Sequence, residues 1–233
     1  MDIKTFYDVI VVGGGVAGVA AAVSATREGA SVLLIEKGFN LGGLATGGLI
    51  SWYEPLCDGE GHQVIHGIAE ELIKLSVKYG FGNLPENWGG DGRCKPRNER
   101  YSTFYSPGIF SAVLDEYVTG HGINLLFDTL ATYPVMDEGH CKGIVVENIN
   151  GREYYEAKVV IDATGTAAIM HRAGVPTVEG KNYMTYGTLE YELEFCYDSN
   201  DNIVSMLYNG VEYYYIKNIQ GDIVGIMDAA TVC

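Results

Sequence analysis

The apolar positions of the chain set out a strand, a helix and a strand within its first 36 residues. Asp8 to Val12 is a short β-branched run that stops at Gly13, as expected of a parallel strand buried on both faces. Val16 to Arg27 is rich in alanine and other good helix formers, and its small side chains suit close packing against a sheet. Ser31 to Glu36, entered through Gly29, is a second continuous apolar run. This order predicts a right-handed βαβ unit.

Further along, Phe39 to Ser51 reads as a glycine-rich loop. Gln63 to Tyr79 carries Ile65, Ile68, Leu72, Leu75 and Tyr79 at helical spacing. Phe81 to Ser106 reads as irregular. Pro107 then opens a helix with Phe110, Val113, Leu114, Tyr117 and Val118 on one face. Short strands are expected at Ile123 to Phe127, Ala131 to Asp137, Gly143 to Ile149 and Arg152 to Ala157, with Asn150-Gly151 as the hairpin turn between the last two. A separate buried strand, Val159 to Ile161, leads into Asp162-Ala163-Thr164-Gly165. After Pro176 the texture becomes tyrosine-rich and alternating. The runs Leu189 to Tyr197, Ile203 to Tyr208, Val211 to Ile216 and Ile223 to Met227 predict an antiparallel sheet.

Composition narrows the function classes. At 47% hydrophobic and 19% charged residues, the chain can bury a core and is not disordered as a whole. A net charge of −15 repels phosphate backbones and anionic lipid, so neither nucleic acid nor a membrane surface is an expected partner. Arg93, Lys95, Arg97 and Arg100 form a local basic cluster, read as a solvated loop. The five cysteines (Cys57, Cys94, Cys141, Cys196 and Cys233) contain no C-x-x-C pair, so reduced thiols in a cytoplasmic protein are the expectation. No apolar run reaches membrane-spanning length.

The chemistry concentrates in the first unit. Gly13-Gly14-Gly15-Val16-Ala17-Gly18 fits G-x-G-x-x-G, follows a strand and opens a helix, and Glu36 closes the next strand 21 residues after Gly15. Gly13 allows the tight turn, Gly15 lets backbone approach a pyrophosphate, and Gly18 lets the helix lie close to the strand. Amides at the helix start favour phosphate. Glu36 can accept hydrogen bonds from ribose hydroxyls and would repel a 2′-phosphate, which disfavours NADP. NAD and FAD both use this fingerprint.

Leu41-Gly42-Gly43-Leu44-Ala45-Thr46-Gly47-Gly48, Asp58 to Leu72 and Asp162 to Gly165 add a wider pattern. With the fingerprint, it resembles the FAD-dependent oxidoreductases of the glutathione-reductase-like flavoprotein superfamily over residues 6 to 190. The resemblance implies FAD as cofactor. It implies that Gly13, Gly15, Val16, Ala17 and Gly18 hold the pyrophosphate and that Glu36 and Lys37 flank the adenosine ribose. Gly42, Gly43, Leu44, Ala45 and Thr46 would lie along the cofactor toward the flavin. Leu130 would meet the adenine through its main chain, and Ala163, Thr164 and Gly165 would pass beneath the dinucleotide. Residues 44 to 48 contain no histidine, so binding is expected to be non-covalent. Two departures stand out. Thr166 replaces an acidic residue common after D-A-T-G. The second glycine–aspartate motif of the superfamily is not matched, since Gly221-Asp222 has the wrong surroundings, and the chain is read as ending before that motif.

The fold expected is therefore α/β. A Rossmann-like FAD-binding domain (parallel sheet, helices, three-stranded β-meander) would occupy residues 1–175, and the start of a mainly antiparallel β substrate domain residues 176–233. The function expected is two-electron or hydride transfer on a small-molecule substrate, with no catalytic side chain assigned. An NAD-linked dehydrogenase and a catalytically inactive nucleotide-binding fragment are the rivals. Other features are set aside. His62 and His66 imitate the zinc motif H-E-x-x-H on a helix face, but Gln63 replaces the base and no third ligand is evident, so no metal is expected. Cys57 reads as a small apolar residue, and the tyrosines from Tyr183 to Tyr215 as sheet positions.

Overall fold

The computed structural model describes residues 5–54, 56–58, 62–82, 84, 102–177, 193–197, 203–217 and 223–228. The chain divides into two compact units, Met1–Thr177 and Val178–Cys233.

In the first unit, β1 (Phe6–Val12), α1 (Val16–Arg27) and β2 (Val32–Ile35) form the expected βαβ crossover. They are followed by α2 (Ile68–Ser76), α3 (Pro107–Gly120), β3 (Asn124–Leu126), β4 (Leu130–Asp137), β5 (His140–Asn148), β6 (Gly151–Asp162) and α4 (Ala168–Arg172). The six strands form one sheet in the order β3-β2-β1-β6-β5-β4. β3, β2, β1 and β6 run parallel, while β4, β5 and β6 form an antiparallel meander.

The central strands are apolar throughout because both of their faces are covered. Val11, Val32 and Leu34 join Val19, Ala22 and Val23 of α1, Leu72 of α2, and Phe110, Leu114 and Val118 of α3 in one buried cluster. Ile10, Val12, Leu33 and Ile35 point the other way, into a second cluster with Ile144 and Val146 of β5, Tyr155 and Ala157 of β6, and Ile169 of α4. Alternating Cβ directions split one apolar run between two cores. Each fully buried Val, Leu or Ile stabilises the fold by about 1.5–3 kcal/mol. α3 begins as expected, with Pro107 in its first turn and the Ser106 hydroxyl accepting from Ile109 N at 3.5 Å.

Three expectations are corrected. The helix predicted over Gln63 to Tyr79 is confined to Ile68–Ser76. Gly67, in the left-handed region with φ 69°, bends the chain before it, and Gln63 is bridged to Cys57 instead. The outer members of the spacing, Ile65 and Tyr79, are 45% and 62% exposed. Arg152 to Ala157 and Val159 to Ile161 are not two strands but one, β6. It pairs with β5 up to Glu156 and with β1 from Glu156 to Asp162, and Val159 is exposed rather than buried. The hairpin turn is Ile149-Asn150, one residue earlier than read; Gly151, at φ 104°, already pairs with Asn148.

The second unit contains β7 (Leu193–Tyr197), β8 (Ile203–Tyr208), β9 (Val211–Lys217) and β10 (Ile223–Asp228), antiparallel in the order β10-β9-β8-β7. The basic cluster at 93–100 and Gly221-Asp222 lie outside the described residues. Among the described residues, no helix is long and apolar enough to cross a membrane.

Candidate functional site

Five segments converge beyond the carboxyl end of β1: the Gly13–Gly15 turn, the start of α1, Glu36 after β2, the Gly42–Gly48 loop and the Asp162–Gly165 turn. Gly13 adopts φ 104°, and a Cβ there would lie 2.7 Å from the Ala163 carbonyl oxygen. Its amide donates to Ile35 O at 2.8 Å. Gly18 is more constrained still, because a Cβ would fall 1.8 Å from Gly13 O. These two glycines serve the fold: strand, helix and the turn carrying Ala163 are closer than any side chain permits.

Gly15 is different. It caps α1 with ordinary extended geometry, φ −64° and ψ 174°, and a Cβ on it would meet none of the described residues within 4 Å. The need for glycine here does not come from the packing of the chain. Beside it, the first-turn amides of Ala17 and Gly18, which an α-helix leaves without an intrahelical acceptor, make no other backbone bond among the described residues, and the first turn of α1 carries no acidic side chain. First-turn amides at the positive end of a helix dipole suit a diphosphate. Val16 and Ala17 are exposed and Gly18 is buried.

Glu36 binds the edge of this cradle. Its carboxylate accepts from Gly14 N at 2.6 Å and from Gly38 N at 2.7 Å. A carboxylate offers about four lone-pair sites, so capacity remains for two sugar hydroxyls. Lys37 next to it is exposed. Leu130 is brought near Glu36 by main-chain bonds, Thr129 N to Glu36 O at 3.1 Å and Asp128 N to Gly38 O at 2.9 Å, and its side chain is half exposed.

The Gly42–Gly48 loop docks directly on the fingerprint. Gly42 N donates to Gly14 O at 2.8 Å, and Gly15 and Gly42 form a parallel bridge. Gly42 and Gly43 both have positive φ, and Gly43 to Ala45 make one 3₁₀ turn. Leu44 is 71% exposed, while Thr46 is buried. The Thr46 hydroxyl donates back to Leu41 O, so its side chain holds the loop and only its backbone is available to a ligand.

On the floor, Ala163 N donates to Val12 O at 2.8 Å, continuing the β1–β6 pairing under Gly13. Thr164 is half-buried and Gly165 exposed. Asp162 has a role that sequence reasoning missed: its carboxylate accepts from Thr164 N and Thr164 Oγ1 and from the amides of Ile169 and Met170 at 2.8 and 2.9 Å, which ties the turn to the start of α4. Burial by itself pushes its carboxyl up, but these hydrogen bonds outweigh burial and hold it below the usual range. A second feature missed was a short ribbon of Ser51–Tyr53 with Thr103–Tyr105, bonded Tyr53 N to Thr103 O at 2.9 Å and Tyr105 N to Ser51 O at 3.0 Å. Only its inward-outward alternation could have pointed to it, and the two halves are too far apart in sequence for that to register.

The histidines do not share a helix face, because both precede α2. His62 pairs with Asp58 at 3.1 Å and His66 with Glu70 at 3.6 Å. Among the described residues, no group of three His, Cys, Asp or Glu is placed to hold a metal. Cys57 is buried beside Leu56 and Ile73. Two depressions elsewhere on the surface, of about 450 and 260 Å³, touch none of the five converging segments.

Residues 8–208 match the family model described as FAD dependent oxidoreductase. Among curated proteins, the chain is 29% identical over 187 residues to a digeranylgeranylglycerophospholipid reductase of Methanosarcina acetivorans, a match covering 75% of this chain and 42% of that protein. It is 44% identical over 75 residues to a vinyl phenol reductase of Lactiplantibacillus plantarum, covering 31% of this chain and 15% of that protein. Among solved structures, the L-proline dehydrogenase of P. horikoshii is similar with a TM-score of 0.51 at 13% identity, covering 97% of this chain and 71% of that one, a likeness of fold. The chain thus spans less than half the length of these curated relatives.

Proposed function

The chain belongs to the family of FAD-dependent oxidoreductases, and from that premise we propose that the cleft at the end of β1 holds FAD without a covalent link, for two-electron transfer to or from a small-molecule substrate. The observation that carries this reading is the open space at the Cβ position of Gly15, at the start of α1 and next to the first-turn amides of Ala17 and Gly18. Those amides and the backbone at Val16 bind the diphosphate, with Gly15 giving close access and Gly13 setting the turn. Glu36, already fixed by Gly14 and Gly38, receives the adenosine ribose hydroxyls, with Lys37 alongside. The main chain at Leu130 borders the adenine. Gly42, Gly43, Leu44, Ala45 and Thr46 supply backbone along the dinucleotide toward its flavin end, and Ala163, Thr164 and Gly165 form the floor. Bound FAD supplies the hydride chemistry, and the protein supplies position, electrostatics and exclusion of water. No side chain of the cleft is assigned as acid or base.

The residue set discriminates against a phosphorylated ribose, since Glu36 would face a second negative charge. A titration of the chain with FAD, followed by visible absorption and calorimetry, tests the reading, with NAD as the comparison. Saturable FAD binding with a perturbed visible band is expected. A sample that takes up NAD and not FAD would turn the reading toward a nicotinamide-linked dehydrogenase.

A further inference from the structure

We propose that Tyr105 is a positioning residue for the cofactor-facing loop, its hydroxyl clamping that loop from beneath by the carbonyls of Ala45 and Ile50. The role rests on the reading above that Gly42–Gly48 runs along FAD. Tyr105 is 2% exposed, and its hydroxyl lies 2.6 Å from Ile50 O and 3.0 Å from Ala45 O. One O–H is shared between two acceptors five residues apart, so it draws the two ends of the segment together. Burial pushes the phenol up from its ordinary pKa, so it remains a donor throughout the working pH range.

The loop needs such a tie. Its first half is held by Ala45 N to Gly42 O, Thr46 N to Gly43 O and the Thr46 hydroxyl to Leu41 O, but beyond Thr46 the backbone is tied only by Gly48 N to Gly43 O, Leu49 N to Thr46 O and Ile50 N to Leu44 O, each at 3.0 Å, among the described residues. Leu49 adopts φ 60°, a left-handed conformation that costs a side-chain-bearing residue energy and persists only when its surroundings fix it. Gly47 and Gly48 add backbone freedom to the same stretch. Tyr105 itself is held firmly. Its ring packs edge-on to Phe110 at 5.1 Å, its amide is bonded to Ser51 O, and α3 begins two residues later. Rigidity is therefore passed from a helix start to a glycine-rich loop through one phenol.

Tyr53 provides an internal control. Its ring lies 5.4 Å from that of Tyr105, yet its buried hydroxyl has no hydrogen-bond partner among the described residues. Removing the Tyr53 hydroxyl deletes the same atom from the same aromatic cluster without touching the loop.

The test compares Tyr105→Phe with Tyr53→Phe in the full 233-residue chain. Without FAD, amide hydrogen exchange at Gly48 and Ile50 should quicken about fivefold in Tyr105→Phe and stay unchanged in Tyr53→Phe, as expected for the loss of one net hydrogen bond. With FAD, Tyr105→Phe should bind about fivefold more weakly and shift the visible band of the bound flavin, and Tyr53→Phe should do neither. Wild-type exchange and spectrum in Tyr105→Phe would overturn the clamp. Equal effects from both variants would overturn it too, since aromatic packing would then suffice. Failure of the wild-type chain to take up FAD would instead overturn the site reading beneath it, and it is recognised because it appears without any substitution.

Discussion

Replacing Gly15 by valine perturbs the cleft without touching the packing beneath it. The backbone at this position is in an extended conformation open to any residue, and the first side-chain atom meets no neighbour within 4 Å among the described residues. The folded chain should therefore tolerate the change. A smaller entropy loss on folding offsets a poorer helix cap, and the net effect should stay within about 1 kcal/mol, or a few degrees in Tm. For a bound diphosphate the consequence is much larger. Valine places three carbons at the start of α1, next to the first-turn amides of Ala17 and Gly18. A phosphate held back by one methyl group loses charge-assisted hydrogen bonds of about 1.5–3 kcal/mol each. Losing two of them raises the Kd for FAD by at least about 100-fold. Calorimetric titration with FAD, beside a thermal melt of the same sample, measures both numbers. An FAD affinity within about threefold of wild type, with an unchanged melt, would refute this placement of the diphosphate.

Gly18→Ala should do the opposite, costing at least about 2 kcal/mol of stability because its Cβ would collide with Gly13 O; a denaturation curve matching wild type would contradict the close helix–strand contact. Asp162→Asn tests the turn under Ala163 through pH. Since folding lowers the Asp162 pKa from its usual 3.8, its stabilising contribution is complete above about pH 4 and is lost as pH falls through the folded value. Wild type should therefore lose more stability than Asp162→Asn between pH 6 and pH 3, and parallel pH curves from denaturant melts would refute this. Arg27 and Glu71 link α1 to α2 through two hydrogen bonds of 2.8 and 2.6 Å; with Tyr117, they hold the Glu71 carboxyl down to about 2. Both side chains are 39% exposed, so a double-mutant cycle should give a coupling of only about 0.5–1 kcal/mol that shrinks in high salt. A coupling insensitive to salt would count against a screened surface pair.

The βαβ unit was legible because its determinants are local. Val9 to Val12 are apolar without a break, Gly13 stands where the turn requires it, and Glu36 falls at the end of the next apolar run. The start of α3 and the strands of the second sheet were equally clear, since a helix-opening proline and period-2 alternation act over a few residues. What escaped depends on distance along the chain. Helical spacing from Ile65 to Tyr79 ignored the bend at Gly67 and the tie between Gln63 and Cys57. The unity of β6 appears only when β1 is laid beside it. In the cleft, glycines and Glu36 could be named from their motif, but the Asp162 bonds to α4 and the Tyr105 bonds to residues 45 and 50 could not. Those pairings are made by tertiary packing, and neither partner's local sequence announces them.

That β6 is continuous has a consequence for tolerance to insertions. The Ile149-Asn150 turn fixes which residue of β6 faces which residue of β5, and the same strand, without interruption, then carries that alignment to its pairing with β1. A slip of one position at the hairpin would turn Tyr155 and Ala157 out of their core, and it would also present Ile161 where Asp162 now stands. The meander thus acts as a ruler for the cleft floor: the length of a surface turn at one end of the strand dictates where Ala163 meets Gly13 at the other.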